Sequence, residues 1–156
     1  MPKLPFNMDI AVQFEGWHKE ISNFDALARA AILQILETLR SPTLGELSLA
    51  FVSDSDIRKL NRDYRHKDSP TNVLSFPDDG PAPLLGDIVL ALETIRREAA
   101  EKAIPIEAHV LHLIIHGFLH LQGYDHETEA AAADMEALEI TALAALNIDN
   151  PYEIRD

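Results

Sequence analysis

The sequence predicts an α+β domain: a small mixed β-sheet of about four strands packed with five or six helices, with a metal site at the C-terminal end of a central helix. Three observations carry that reading. Segments that alternate apolar and polar residues, or run short and rich in strand formers, all fall within the first 91 positions. Long segments with apolar residues every three to four positions dominate the rest of the chain. Three histidines and a glycine then mark the end of the most apolar of these helices.

Taken in order, Met8 to Phe14 alternates as a half-buried strand does. From Asn23 to Leu39 the apolar positions Phe24, Leu27, Ala28, Ala31, Ile32, Ile35, Leu36 and Leu39 trace one face of a helix. Leu47 to Val52 reads as a second strand, and Ser53-Asp54 as the N-cap of a helix through about Tyr64, with Ile57, Leu60 and Asn61 along one side. Asn72 to Phe76 is a third strand, stopped by Pro77, and Gly86 to Ala91 a fourth. Between them Pro77 to Pro83 is a loop by composition. Helices come next over Leu92–Lys102, Pro105–Gln122 and Thr128–Leu146, with Pro105 suited to a first helical position and Gly123 to a C-terminal stop. No internal repeat or domain boundary is visible, so residues 1–156 read as a single domain.

The composition narrows the function classes. A 47% hydrophobic content suffices for an ordinary core, and the lack of cysteine leaves only nitrogen and oxygen as metal ligands, which suits a cytoplasmic protein. Met1 to Pro5 opens no apolar signal region, and the longest apolar stretch, Val110 to Leu121, is too short to span a bilayer. Neither secretion nor membrane insertion is expected. With 13 Lys+Arg against 26 Asp+Glu, the net charge of −13 argues against broad binding to a polyanion, and no DNA partner is expected. A nucleic-acid role needs a local basic patch.

His116, His120 and His126 form the spacing His-x-x-x-His-x-x-Gly-x-x-His, with Gly123 as the glycine. Imidazoles four residues apart share a helical face, and the glycine can end the helix and turn the third imidazole back toward the first two. Three nitrogens leave a fourth zinc position open, which is the catalytic pattern, and water there would have its pKa lowered toward about 7. The spacing equals that of metzincin proteases, but the position of their general-base glutamate is Gly117, so a peptidase is disfavoured. On the same helix His112 either supports the tripod from behind or packs, and His109 is expected to be exposed near the helix start. Asp125 orients an imidazole or helps the turn, Glu127 caps the following helix, and Met135 belongs to the core.

Arg58, Lys59, Arg62, Arg65 and Lys67 place five of the thirteen cationic residues within ten positions. Beside a hydrolytic metal site, that island is a credible phosphate-binding patch. The run from His116 to His126, HGFLHLQGYDH, resembles the signature of the YbeY family of bacterial rRNA maturation endoribonucleases. Leu60 to Arg65, Pro70 to Pro77 and Gly86 to Ile88 are similar to that family's other marked segments, in the same order. The resemblance implies a metal-dependent, single-strand-selective endoribonuclease that matures the 3′ end of the small-subunit (16S) rRNA and takes part in ribosome quality control. It implies one zinc per chain held by His116, His120 and His126, a functional Arg65, and the ribosomal small subunit and its assembly factors as partners. Another metallohydrolase, or a non-catalytic ribosome-assembly module stabilised by zinc, remain as alternatives.

Overall fold

The computed structural model describes residues 4–40, 45–77 and 85–153. Residues 78–83 of the loop expected between the third and fourth strands lie outside this set. Within it, four strands, β1 (Asn7–Val12), β2 (Glu46–Val52), β3 (Val73–Pro77) and β4 (Gly86–Ala91), form one sheet in the order β1-β2-β4-β3. The first three in that order run parallel, and β3 is an antiparallel edge strand. Five α-helices complete the α+β architecture: α1 (Phe24–Leu39), α2 (Asp54–Arg65), α3 (Leu92–Lys102), α4 (Ile106–Leu121) and α5 (Glu129–Ala145).

The period-two alternation of the strands sorts their side chains into two cores. Leu47, Leu49, Phe51, Ile88 and Leu90 face the larger one, built with α1, α4 and α5. Val52, Leu74, Val89 and Ala91 face the smaller one, closed by Ile57 of α2. Because β4 lies inside the sheet with both faces covered, its sequence reads as a continuous apolar run.

Helix starts obey capping chemistry. Asn23, Ser53 and Thr128 accept hydrogen bonds from the backbone N–H of Ala26, Asp56 and Ala131, so Thr128 rather than Glu127 caps α5. The starts of α2 and α3 also tie to each other: Asp54 accepts from the N–H and hydroxyl of Thr94, while Glu93 accepts from the N–H of Asp54. Pro105 is the N-cap of α4 in extended geometry, one residue outside the helix, and supplies the carbonyl that receives the His109 N–H. The expected first strand stops at Val12 instead of Phe14, since the chain turns there into a short 3₁₀ helix, Glu15–Lys19. That helix buries Trp17 against Phe24 and Phe51, and its indole N–H donates to the Val52 carbonyl at 2.9 Å. Five residues are too few to show a helical period, which is why the pattern concealed it.

Among the described residues no single helix is long and apolar enough to cross a membrane. The apolar α4 is instead the central core helix, covered by α1, α3, α5 and the sheet.

Candidate metal centre

Helix α4 reaches the sheet through a glycine. A Cβ built on Gly117 would stand 3.0 Å from both Ile88 Cγ2 and Ser75 Oγ, and the Ser75 hydroxyl donates to the Gly117 carbonyl at 3.1 Å. The position where metzincins keep a glutamate is therefore a close helix–sheet contact, where even a methyl group would crowd Ile88 and Ser75. Gly117→Ala should gain about 1 kcal/mol of helix propensity and lose about 1–3 kcal/mol to overpacking. The expected outcome is net destabilisation, read as a lower denaturation midpoint at unchanged slope.

This contact anchors the helix beside the face that carries His116 and His120. The helix then ends as its sequence requires: Gly123 takes φ +96°, its N–H donates to the His120 carbonyl, and the Tyr124 N–H donates to the Leu119 carbonyl. That is a Schellman stop, with glycine in the one conformation other residues resist. Beyond it Asp125 Oδ1 accepts from the Glu127 N–H at 3.2 Å, so Asp125 shapes the turn that brings His126 back.

The three imidazoles converge, with one ligand nitrogen from each lying within 4.8 Å of the others. His116 and His120 face each other Nε2 to Nε2 at 3.0 Å, while the His126 ring lies 5.8 and 5.1 Å from theirs, centroid to centroid. Their second nitrogens are engaged: His116 Nδ1 meets Glu139 Oε1 at 2.7 Å, and His120 Nδ1 meets the Tyr124 carbonyl at 3.0 Å. A carboxylate and a carbonyl only accept, so each Nδ1 carries the proton and both Nε2 atoms present lone pairs to one point. Two lone pairs at that distance repel unless a cation lies between them. Two nitrogens about 2.0–2.1 Å from a tetrahedral zinc stand about 3.3 Å apart, so a small outward shift admits the metal. Burial, followed by the neighbouring His116 imidazole, holds His120 below the usual histidine range and favours the neutral ring that metal ligation requires. The donor set fits zinc.

The tripod opens into a cavity of about 790 Å³ between β3, the end of α2 and α4. Arg65 and Lys67 line it with the three histidines, so all four sequence-predicted site residues meet there. Of the basic island, Arg58 pairs with Asp68 and Arg62 with Asp63. Arg65 instead donates from Nη2 to the Ser75 carbonyl at 2.7 Å, with its guanidinium 5.6 Å from the centre of the Phe76 ring. The edge position of β3 leaves that carbonyl within reach.

His109, expected to be exposed, is 1% exposed, because the α4 start is covered by α3. Its Nε2 meets Glu98 Oε1 at 2.9 Å, and burial holds the ring below the usual histidine range, so this contact is a hydrogen bond from a neutral imidazole. His112 is also buried, and its Nε2 lies 3.3 Å from both Glu139 and the Tyr152 hydroxyl, so it backs the tripod from behind. Met135 lies in the core.

Glu139 is the residue that sequence reasoning missed. It has no exposed surface, and burial alone would raise its pKa, but hydrogen bonds from His112, His116 and Tyr152 outweigh this and hold it at about 2. Its signal was present: Met135, Glu139, Ala142 and Leu143 share the buried face of α5, and an acid on an apolar stripe needs a partner. Tyr152, beyond the last helix, had no such signal.

The sequence model of the family described as Endoribonuclease YbeY matches residues 11–147. Proteins named Endoribonuclease YbeY are similar along most of their length. The one from Methylocella silvestris is 48% identical over 94% of this chain and 85% of its own, and the one from Allorhizobium ampelinum is 42% identical over 94% of each. The solution structure of TM1509 from Thermotoga maritima superposes with a TM-score of 0.58, covering 94% of this chain and 99% of that one; at 22% identity it speaks to the fold alone. The family match over most of the chain, with relatives this similar over most of their length, makes the protein a member of the YbeY family.

Proposed function

We propose that this protein is a zinc-dependent, single-strand-selective endoribonuclease of the cytoplasm that acts in 3′-end maturation of the small-subunit (16S) rRNA and in ribosome quality control. One observation carries the reading. In a chain with 26 acidic residues, none of the described residues lining the tripod cavity is acidic, while Arg65 and Lys67 are among them. Such a cavity suits a phosphodiester and repels little of its charge.

His116, His120 and His126 would hold the zinc, which supplies Lewis acidity at a phosphoryl oxygen and activates water at neutral pH. Arg65 binds a non-bridging phosphate oxygen and stabilises the charge that grows in the transition state, its fork oriented by the Ser75 carbonyl. Lys67 adds a mobile point charge on the same wall. The open cavity admits a strand whose backbone bends into it, which a stiff duplex resists. The small subunit and its assembly factors are the partners this reading implies.

The test is cleavage of one RNA, alone and annealed to its complement, by the full-length zinc-loaded protein. The single strand should be cut, the duplex spared, and activity lost on chelation and regained with zinc. Zinc-replete protein that binds the strand without cutting it would favour an assembly module instead. A product ending in a 2′,3′-cyclic phosphate identifies the RNA 2′-hydroxyl as nucleophile.

A further inference from the structure

The charge of Glu139 is buried without a Lys or Arg partner among the described residues. Its carboxylate meets His116 Nδ1 at 2.7 Å, His112 Nε2 at 3.3 Å and the Tyr152 hydroxyl at 2.5 Å. With no Lys or Arg beside it, this fully buried carboxylate rests on its hydrogen bonds from His112, His116 and Tyr152, and a cation one imidazole away would hold it further. Tyr152 reaches it from a turn closed by Asn150, whose Oδ1 accepts the Tyr152 N–H at 2.8 Å, and its ring rests edge-on against His112.

His112, His116 and Glu139 also lie close enough to one another to suggest a second cation site. Both carboxylate oxygens are already engaged, Oε1 by His116 and Oε2 by Tyr152, and a metal there would displace those bonds. The cluster reads better as a support for the tripod.

Building on the zinc tripod of the proposed function, we propose that Glu139 is a positioning residue for the metal centre and that the Tyr152 turn completes the centre by clamping that carboxylate. Glu139 keeps the proton of His116 on Nδ1 and fixes the ring plane, so the Nε2 lone pair points into the cavity before metal arrives. The opposite tautomer would set an Nδ1 lone pair against a carboxylate oxygen at 2.7 Å. Metal affinity is thereby tied to a segment 26 residues beyond the last ligand, counted from His126 to Tyr152. The gain is pre-organisation, since a ring already oriented loses less freedom on binding.

The experiment uses the full chain. Long-range ¹H–¹⁵N correlation of the metal-free protein reads the His116 tautomer, and competition with a chelator reads zinc affinity. Wild type should show His116 protonated on Nδ1. Glu139→Gln should weaken zinc binding about 10- to 100-fold and disturb that tautomer. Tyr152→Phe, which removes one hydroxyl from a partly exposed ring and should fold, should weaken zinc binding several-fold. Variants that lose stability but keep the tautomer and wild-type affinity would make Glu139 merely structural and overturn the proposal. If Glu139→Gln fails to fold, unchanged zinc affinity in Tyr152→Phe overturns it just as well. A wild type that binds no zinc would sink the tripod itself, a separate failure from variants that bind as tightly as wild type.

Discussion

His120→Ala is expected to abolish metal binding at the proposed zinc tripod while leaving the fold in place. His120 provides one of the two Nε2 atoms that already face each other at 3.0 Å, and it is orientated by a backbone carbonyl of the very turn that returns His126. Removing it leaves two imidazoles, one of them on an exposed loop, which is too few for a stable zinc site. Bound zinc should fall from about one per chain to near none by elemental analysis after gel filtration. RNA cleavage should fall by about 10³-fold or more, the several kcal/mol that a metal supplies to such a transition state. Because the ring is only half-buried, the far-UV circular dichroism should be close to wild type. A variant that keeps one zinc per chain would remove His120 from the ligand set.

Arg65→Ala should do the reverse: zinc stays and catalysis goes. Arg65 sits on the cavity wall opposite α4, without an acid partner among the described residues, so its charge is available to a phosphate. Loss of a donor aimed at developing charge costs about 10²–10³-fold in rate, about 3–4 kcal/mol. Arg65→Lys should recover only part of this, because a point charge cannot make two parallel bonds to a phosphate. Some stability will be lost as well, since the guanidinium also ties α2 to the Ser75 carbonyl and covers Phe76. The measurement that separates the two roles is kcat/KM at matched zinc content. Wild-type cleavage by a folded Arg65→Ala protein would make this arginine structural.

Most of the elements were legible because their signals are local. The strand Gly86–Ala91 and the helix Leu92–Lys102 appear with the boundaries their residues suggest, and Ser53 caps its helix as expected, whereas the last helix is capped by Thr128, one residue past the expected Glu127. His109 was misplaced for the complementary reason. Position on a helix gives its angle relative to the other histidines, but only packing by α3 tells whether that end of the stripe is covered.

The sequence by itself determined the tripod. Two histidines one helical turn apart, a glycine that can take positive φ, and a third histidine just beyond it are a local geometry, set by backbone rules over eleven residues. Only the tertiary structure decided its surroundings: that Gly117 is a packing contact with β3 and β4, that Arg65 crosses the sheet edge to share the cavity, and that Glu139 and Tyr152 hold His116 from behind. The hydrogen bonds among these groups join residues from 10 to 42 positions apart, and no period or cap encodes them. They exist because burying the apolar faces of the helices and sheet brings those polar groups out of water together, where each must find a partner.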